Sequence, residues 1–162
     1  MVMKLTNKAR GESGQTLVEI LVAIAMVVLV LVAVVGRSVD SVRNSIFSRN
    51  EILATRFAQE GIEWGRSQRD RLGWNAFVAS LDGNPVMYCV LDLSQKIEDL
   101  TSGACTGTIS GTVFTREVSF NYQDEASPLG DYIDISVTVS WTDRIGDHIS
   151  NLGTRLSQWT KQ

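Results

Sequence analysis

Gly14-Gln15-Thr16-Leu17-Val18-Glu19 opens into Ile20-Leu21-Val22-Ala23-Ile24-Ala25-Met26-Val27-Val28-Leu29-Val30-Leu31-Val32-Ala33-Val34-Val35, and this stretch decides the architecture. The sixteen residues from Ile20 to Val35 carry no charged or polar side chain. With Leu17 and Gly36 as its limits, the helical span is about 30 Å long at 1.5 Å per residue, the thickness of a bilayer's hydrocarbon core. Glu19 is out of keeping with that solvent. A carboxylate in an apolar helix costs roughly 3 kcal/mol on insertion scales, so it needs a partner or a task. The plainer reading is a signal anchor with an incidental acid near its membrane face.

The flanks constrain orientation and processing. Ahead of the run stands a short leader with Lys4, Lys8 and Arg10 against Glu12. Basic flanks stay in the cytoplasm, so the expectation is a single-pass protein with its N-terminus cytoplasmic and the remainder outside. A secretory signal peptide carries its small-residue cleavage site after the apolar segment. Here the candidate, Ser13-Gly14, precedes it, and cleavage there leaves the apolar helix on the mature protein.

This arrangement resembles the type IV prepilins, a family that includes the pseudopilins of type II secretion. The family pattern is a basic leader ending in Gly, a first mature residue that is often Phe, then Thr, two apolar residues, Glu and an apolar helix. The chain reads Gly14, Gln15, Thr16, Leu17-Val18, Glu19 at that spacing. It departs from the pattern at Gln15, and it has Gly36 near the point where many pilins have a kinking proline. The resemblance implies cleavage between Gly14 and Gln15 by a prepilin peptidase, with N-methylation of the new amine left open by Gln15. It further implies a role for Glu19 and Thr16 in assembly and register. The implied partners are other pilin subunits, joined through the N-terminal helix, and a pilus or secretion assembly machinery. The destination is the cytoplasmic membrane and then an extracellular or periplasmic filament.

Beyond Gly36 the chain turns polar but keeps a helical stripe. Val39, Val42, Ile46, Leu53, Phe57 and Trp64 recur at helical spacing on one face. No proline precedes Pro85, so one helix is expected from Gln15 to about Leu72, about 87 Å if continuous. Its second half serves as a docking spine. Gly61 and Gly65 each cost roughly 1 kcal/mol relative to Ala, which predicts irregular last turns. Asn75 to Leu81 adds a short helical turn, ended by Asp82-Gly83-Asn84-Pro85.

From Val86 the period becomes two. Ile133, Ile135, Val137, Val139 and Trp141 alternate with Asp134, Ser136, Thr138, Ser140 and Thr142, the pattern of a half-buried antiparallel strand. Phe114, Val118, Phe120 and Tyr122 form a similar face, with Arg116 the odd member. Val86 to Leu93 is apolar on both faces, as a central strand would be. Asp143 to Asp147 reads as a hairpin turn around Gly146. Ile149, Leu152, Leu156 and Trp159 have helical spacing, but Leu152, Thr154 and Leu156 also alternate, and the composition favours a strand. The fold class is therefore α+β: one long N-terminal helix, its first half transmembrane and its second amphipathic, packed on a small C-terminal antiparallel sheet. The divisions are a leader 1–14, an assembly helix 15–36, its amphipathic continuation 37–73, and a sheet domain 74–162.

Cys89 and Cys105 both fall on the expected outer side, where an even count reads as one disulfide. Two buried free thiols are the alternative. The net charge of −3 argues against nonspecific nucleic-acid binding. Arg66, Arg69 and Arg71 beside Trp64 and Trp74 could grip DNA, but with Asp70 interleaved they read better as a solvated helical face. His148, the lone histidine, is expected in or beside a surface hairpin. Asp92, Glu98 and Asp99 lack the spacing of a calcium loop. No catalytic residue, metal site or cofactor motif stands out, and the reading is a non-enzymatic structural subunit, a minor pilin or pseudopilin. The alternative is a monomeric membrane-anchored binding domain, adhesive or DNA-binding, with Ser94 to Ser110 as a recognition loop.

Overall fold

The computed structural model describes residues 12–124 and 131–158, with side chains from Thr16 onward. The leader as far as residue 11 and Trp159 lie outside these residues. Helix α1 runs over Glu12–Leu72, 61 residues without interruption. Helix α2 follows at Trp74–Ala79, and then strands β1 (Val86–Cys89), β2 (Thr115–Gln123), β3 (Tyr132–Thr142) and β4 (Asp147–Ser157). The four strands form one antiparallel sheet in the order β1-β2-β3-β4. The fold is α+β, a long helix carrying a small antiparallel sheet.

The chain divides into two compact units, Met1–Phe47 and Ser48–Gln162. The described part of the first is helix alone. The second holds the core, and its assembly follows from the alternation in β3. Ile133, Ile135, Val137, Val139 and Trp141 all point inward and are buried. Val118 and Phe120 of β2 and Leu156 of β4 continue that face. Against it lies the last part of α1, through Ala54, Ala58, Gly61, Ile62, Trp64, Gly65 and Gln68.

Two expectations about α1 are corrected here. Gly61 and Gly65 do not loosen the helix; they are where the sheet comes closest. A Cβ on Gly61 would stand 2.8 Å from Val137 Cγ1, and one on Gly65 would stand 3.1 Å from Ile135 Cδ1. The apolar stripe is also shorter than its spacing suggests. Leu53, Phe57 and Trp64 join the core, while Val39, Val42 and Ile46 remain 45–59% exposed. Contact with the sheet is made by small residues one step round the helix, because only these let backbone and sheet approach.

Gly73 separates the two helices. At φ +78° it sits in the left-handed region that side chains disfavour. Its N–H still donates to Arg69 O at 2.8 Å, and its own carbonyl accepts from Phe77 N at 2.9 Å, so one residue ends α1 and starts α2. Phe77 is thereby delivered into the core, edge-on to Phe120 with centroids 5.5 Å apart.

β1 is an edge strand of four residues, not a central strand reaching Leu93. Its second apolar face is explained by the connection to β2, which folds back over it. Tyr88 forms a bridge with Ser102, and Gly103 N–H donates to Met87 O at 2.8 Å. Gly107 lies against Leu91, whose Cδ1 would be 3.1 Å from a Cβ there. The free edge is thus closed by the protein's own loop, one of the ways proteins protect such edges.

Arg116 is 1% exposed and takes an inward position in β2. Its Nε donates to Val90 O at 2.8 Å and its Nη1 to Phe57 O at 3.2 Å, with Glu60 Oε2 at 3.6 Å. Burial depresses its pKa below that of a free guanidinium, and the Glu60 and Asp92 carboxylates act in the opposite direction. A charge in the core survives because Nε and Nη1 face oxygens of α1 and of the chain beyond β1.

Candidate functional site: the uncovered apolar helix

The stretch from Gly14 to Val35 lies wholly on the first part of α1. The helix includes the backbone of Gly14 and Gln15, and Thr16 and Glu19 occupy its next turn. From Leu17 to Val35 every large apolar side chain is 50–69% exposed. The helix is long and apolar enough to cross a membrane, with a mean hydropathy of 3.2 in its best window and none of that window buried. Glu19 is exposed among these residues.

Soluble monomers rarely expose so large an apolar surface. The fifteen large apolar side chains between Leu17 and Val35 would be covered equally well by lipid tails or by other helices. In both, Glu19 sits where a bare carboxylate is penalised.

The remaining candidates from the sequence separate cleanly. Cys89 and Cys105 are bridged, with Cα atoms 4.8 Å apart, and there is no free cysteine among the described residues. The bridge fastens β1 to the loop that covers it, and Cys105 N–H donates to Glu117 Oε1 at 2.9 Å.

The arginines near the end of α1 do not form an open basic patch. Arg66 Nη1 donates to Glu63 at 2.6 Å, Arg69 pairs with Asp70 at 2.7 Å, and Arg71 donates to Glu98 at 2.5 and 3.0 Å. The Arg71 hydrogen bond holds the Glu98 carboxyl below the usual carboxylate range, and Glu98 raises Arg71 in turn. Trp64 is buried, its indole N–H donating to Gln95 O at 2.9 Å, and Trp74 packs against the core. Each component of a nucleic-acid grip is already engaged within the chain.

Asp92 caps its own turn by accepting from Ser94 N–H at 2.9 Å, which lowers its pKa. With Glu98 held by Arg71, the acids considered for calcium do not converge. Among the described residues no group of three metal-binding side chains occurs. His148 lies beside the hairpin, as its position implies, but in β4 and half-buried, stacked on Trp141 with centroids 5.2 Å apart, and Nε2 is 3.0 Å from Asp143 Oδ1. The hairpin is so tight that β4 begins one residue before it.

Comparison of the chain with family models, with curated proteins and with solved structures finds no match. Functional inference therefore rests on the residues and their arrangement.

Proposed function

We propose that this protein is a structural subunit, a minor pilin or pseudopilin, of a type IV pilus or type II secretion-like filament. The observation that carries the reading is the uncovered apolar helix with one acid, Glu19, in its first turns. A prepilin peptidase removes the leader at Gly14, the helix holds the subunit in the membrane, and the same helix packs with its copies in the filament. One surface serves both states because lipid tails and neighbouring helices are equally apolar. The folded unit from Ser48 onward rides outside, braced by the disulfide in an oxidising compartment.

The rival is a monomeric anchored domain that never polymerises. It leaves Glu19 without a partner, and its candidate DNA grip, the arginines of α1, is occupied by carboxylates.

Processing gives the first test. Co-expressed with an active prepilin peptidase, the membrane-extracted protein should have the intact mass of a chain beginning at Gln15. Gly14→Leu should retain the full leader. An uncut wild-type chain beside a working peptidase would contradict the proposal.

A further inference from the structure

Arg37 and Arg43 follow the apolar run, and Arg49 stands six residues beyond Arg43. All three are exposed and make no hydrogen bond or ion pair with the described chain. Arg56, Arg66, Arg69, Arg71 and Arg155 each hold a carboxylate, whereas Arg144 in the β3–β4 turn is exposed and, like Arg37 and Arg43, pairs with none of the described residues. Asp40 stands three residues from both Arg37 and Arg43, yet neither pairs with it.

We infer that Arg37 and Arg43 form a binding site for the phosphodiester groups of phospholipids, in the leaflet at the C-terminal end of the span. This rests on reading Leu17 to Gly36 as membrane-spanning. The headgroup layer is about 5–8 Å deep on each side of the hydrocarbon core. Arg37 lies two residues past Val35, about 3 Å above the core, and Arg43 lies eight past, about 12 Å. Helical side chains lean toward the N-terminus, here toward the membrane. Long side chains adjust their reach so that the charge meets the polar layer: the Arg43 guanidinium enters it by reaching back about 6 Å, and that of Arg37 by turning away from the core. Arg49, about 21 Å above the core, stays out of reach.

The angular placement selects the partner. Six residues turn the helix by about 240°, so Arg37 and Arg43 point in different directions. A single docked protein surface meets one of them, whereas a headgroup layer surrounds the helix and meets both. Arginine's planar fork also matches phosphate oxygens in pairs. The site has a consequence for the processed chain. Once the leader with Lys4, Lys8 and Arg10 is gone, no basic side chain remains on the N-terminal side of the apolar run. Arg37 and Arg43 then become the charged stop that keeps the helix from sliding along the bilayer normal.

The test is solid-state NMR of the full chain carrying Arg10→Gln, which removes the leader's own arginine, labelled with ¹³C at the arginine guanidinium carbon, in phosphatidylcholine/phosphatidylglycerol vesicles and phosphate-free buffer. Carbonate-washed vesicles are floated first; a chain that does not float overturns the span reading and this inference with it. In floated samples, ³¹P should dephase part of the arginine signal. Arg37→Gln and Arg43→Gln should each remove about half of that dephasing, the double variant nearly all, and Arg49→Gln none. Absence of dephasing in the floated wild type, or dephasing that survives the double variant, would overturn the lipid site while leaving the span intact.

Discussion

Gly36, Gly61 and Gly65 lie on one helix and look alike in the sequence, yet their surroundings differ. A Cβ on Gly36 meets nothing within 4 Å, whereas on Gly61 it would press on Val137 and on Arg116 Cδ at 3.1 Å. Helix propensity favours Ala by roughly 1 kcal/mol at either site. Overpacking a filled core costs about 1–3 kcal/mol. Gly61→Ala should therefore destabilise the folded unit by about 1 kcal/mol net and lower its Tm by a few degrees. Gly36→Ala should leave Tm unchanged or raise it. Thermal unfolding of the full chain in detergent, followed by near-ultraviolet circular dichroism, distinguishes the two; equal shifts would contradict the packing. This contrast marks a limit of sequence reading. Propensity is a property of the residue, but what stands opposite a glycine is known only once the sheet is placed. Arg116 shows the same limit, since its position in the alternation is legible but the oxygens that receive it are not.

At the scale of elements, the legible parts were those whose signal repeats. β3 alternates over eleven residues, so noise at one position cannot shift its face. The four residues of β1 offer too short a pattern, and the loop that covers its outer face makes an edge strand read as a central one. That loop depends on the disulfide, whose partners are 16 residues apart. A closed loop of this size stabilises by about 3 kcal/mol in the chain-entropy model. Replacing both cysteines by serine should lower the denaturant midpoint accordingly, and an unchanged midpoint would show that the loop's other anchors suffice. The β3–β4 hairpin gives a pH prediction. Asp143 accepts from Ile145 N–H at 2.7 Å and Gly146 N–H at 3.2 Å, and these bonds, with His148, hold its carboxyl below the usual range. A folded pKa below the unfolded one means that the cap is complete above about pH 4 and is lost as pH falls through the folded value. Ile145 and Gly146 amide shifts should titrate with a midpoint below that of free aspartate, and Asp143→Asn should abolish the titration. A midpoint at the free value would contradict the cap.

The whole molecule joins an exposed apolar helix to a unit with a buried core. The described residues from Ser48 onward enclose a buried core, and the apolar residues from Leu17 to Val35 are all exposed. The sequence shows where the apolar run ends, at Gly36, but not that the compact unit begins at Ser48, because that boundary depends on which residues of α1 meet the sheet. The resemblance to prepilins rests on Gly14, Thr16 and Glu19, to which the proposal gives roles in processing and assembly and none in the fold of one chain.

Glu19 therefore carries the central claim. After cleavage, Gln15 bears an α-amine at a helix N-terminus, where its charge and the helix dipole reinforce each other unfavourably. A neighbouring subunit's Glu19 can offset that charge when two helices are staggered along their axes. Apolar packing is nearly indifferent to such sliding, whereas an unpaired charge in an apolar bundle is not. The decisive measurement is the fraction of tagged Glu19→Ala protein in sheared filaments relative to the membrane fraction. The account predicts normal insertion and normal cleavage at Gly14 with at least a tenfold loss from filaments, and incorporation at the wild-type level would contradict it.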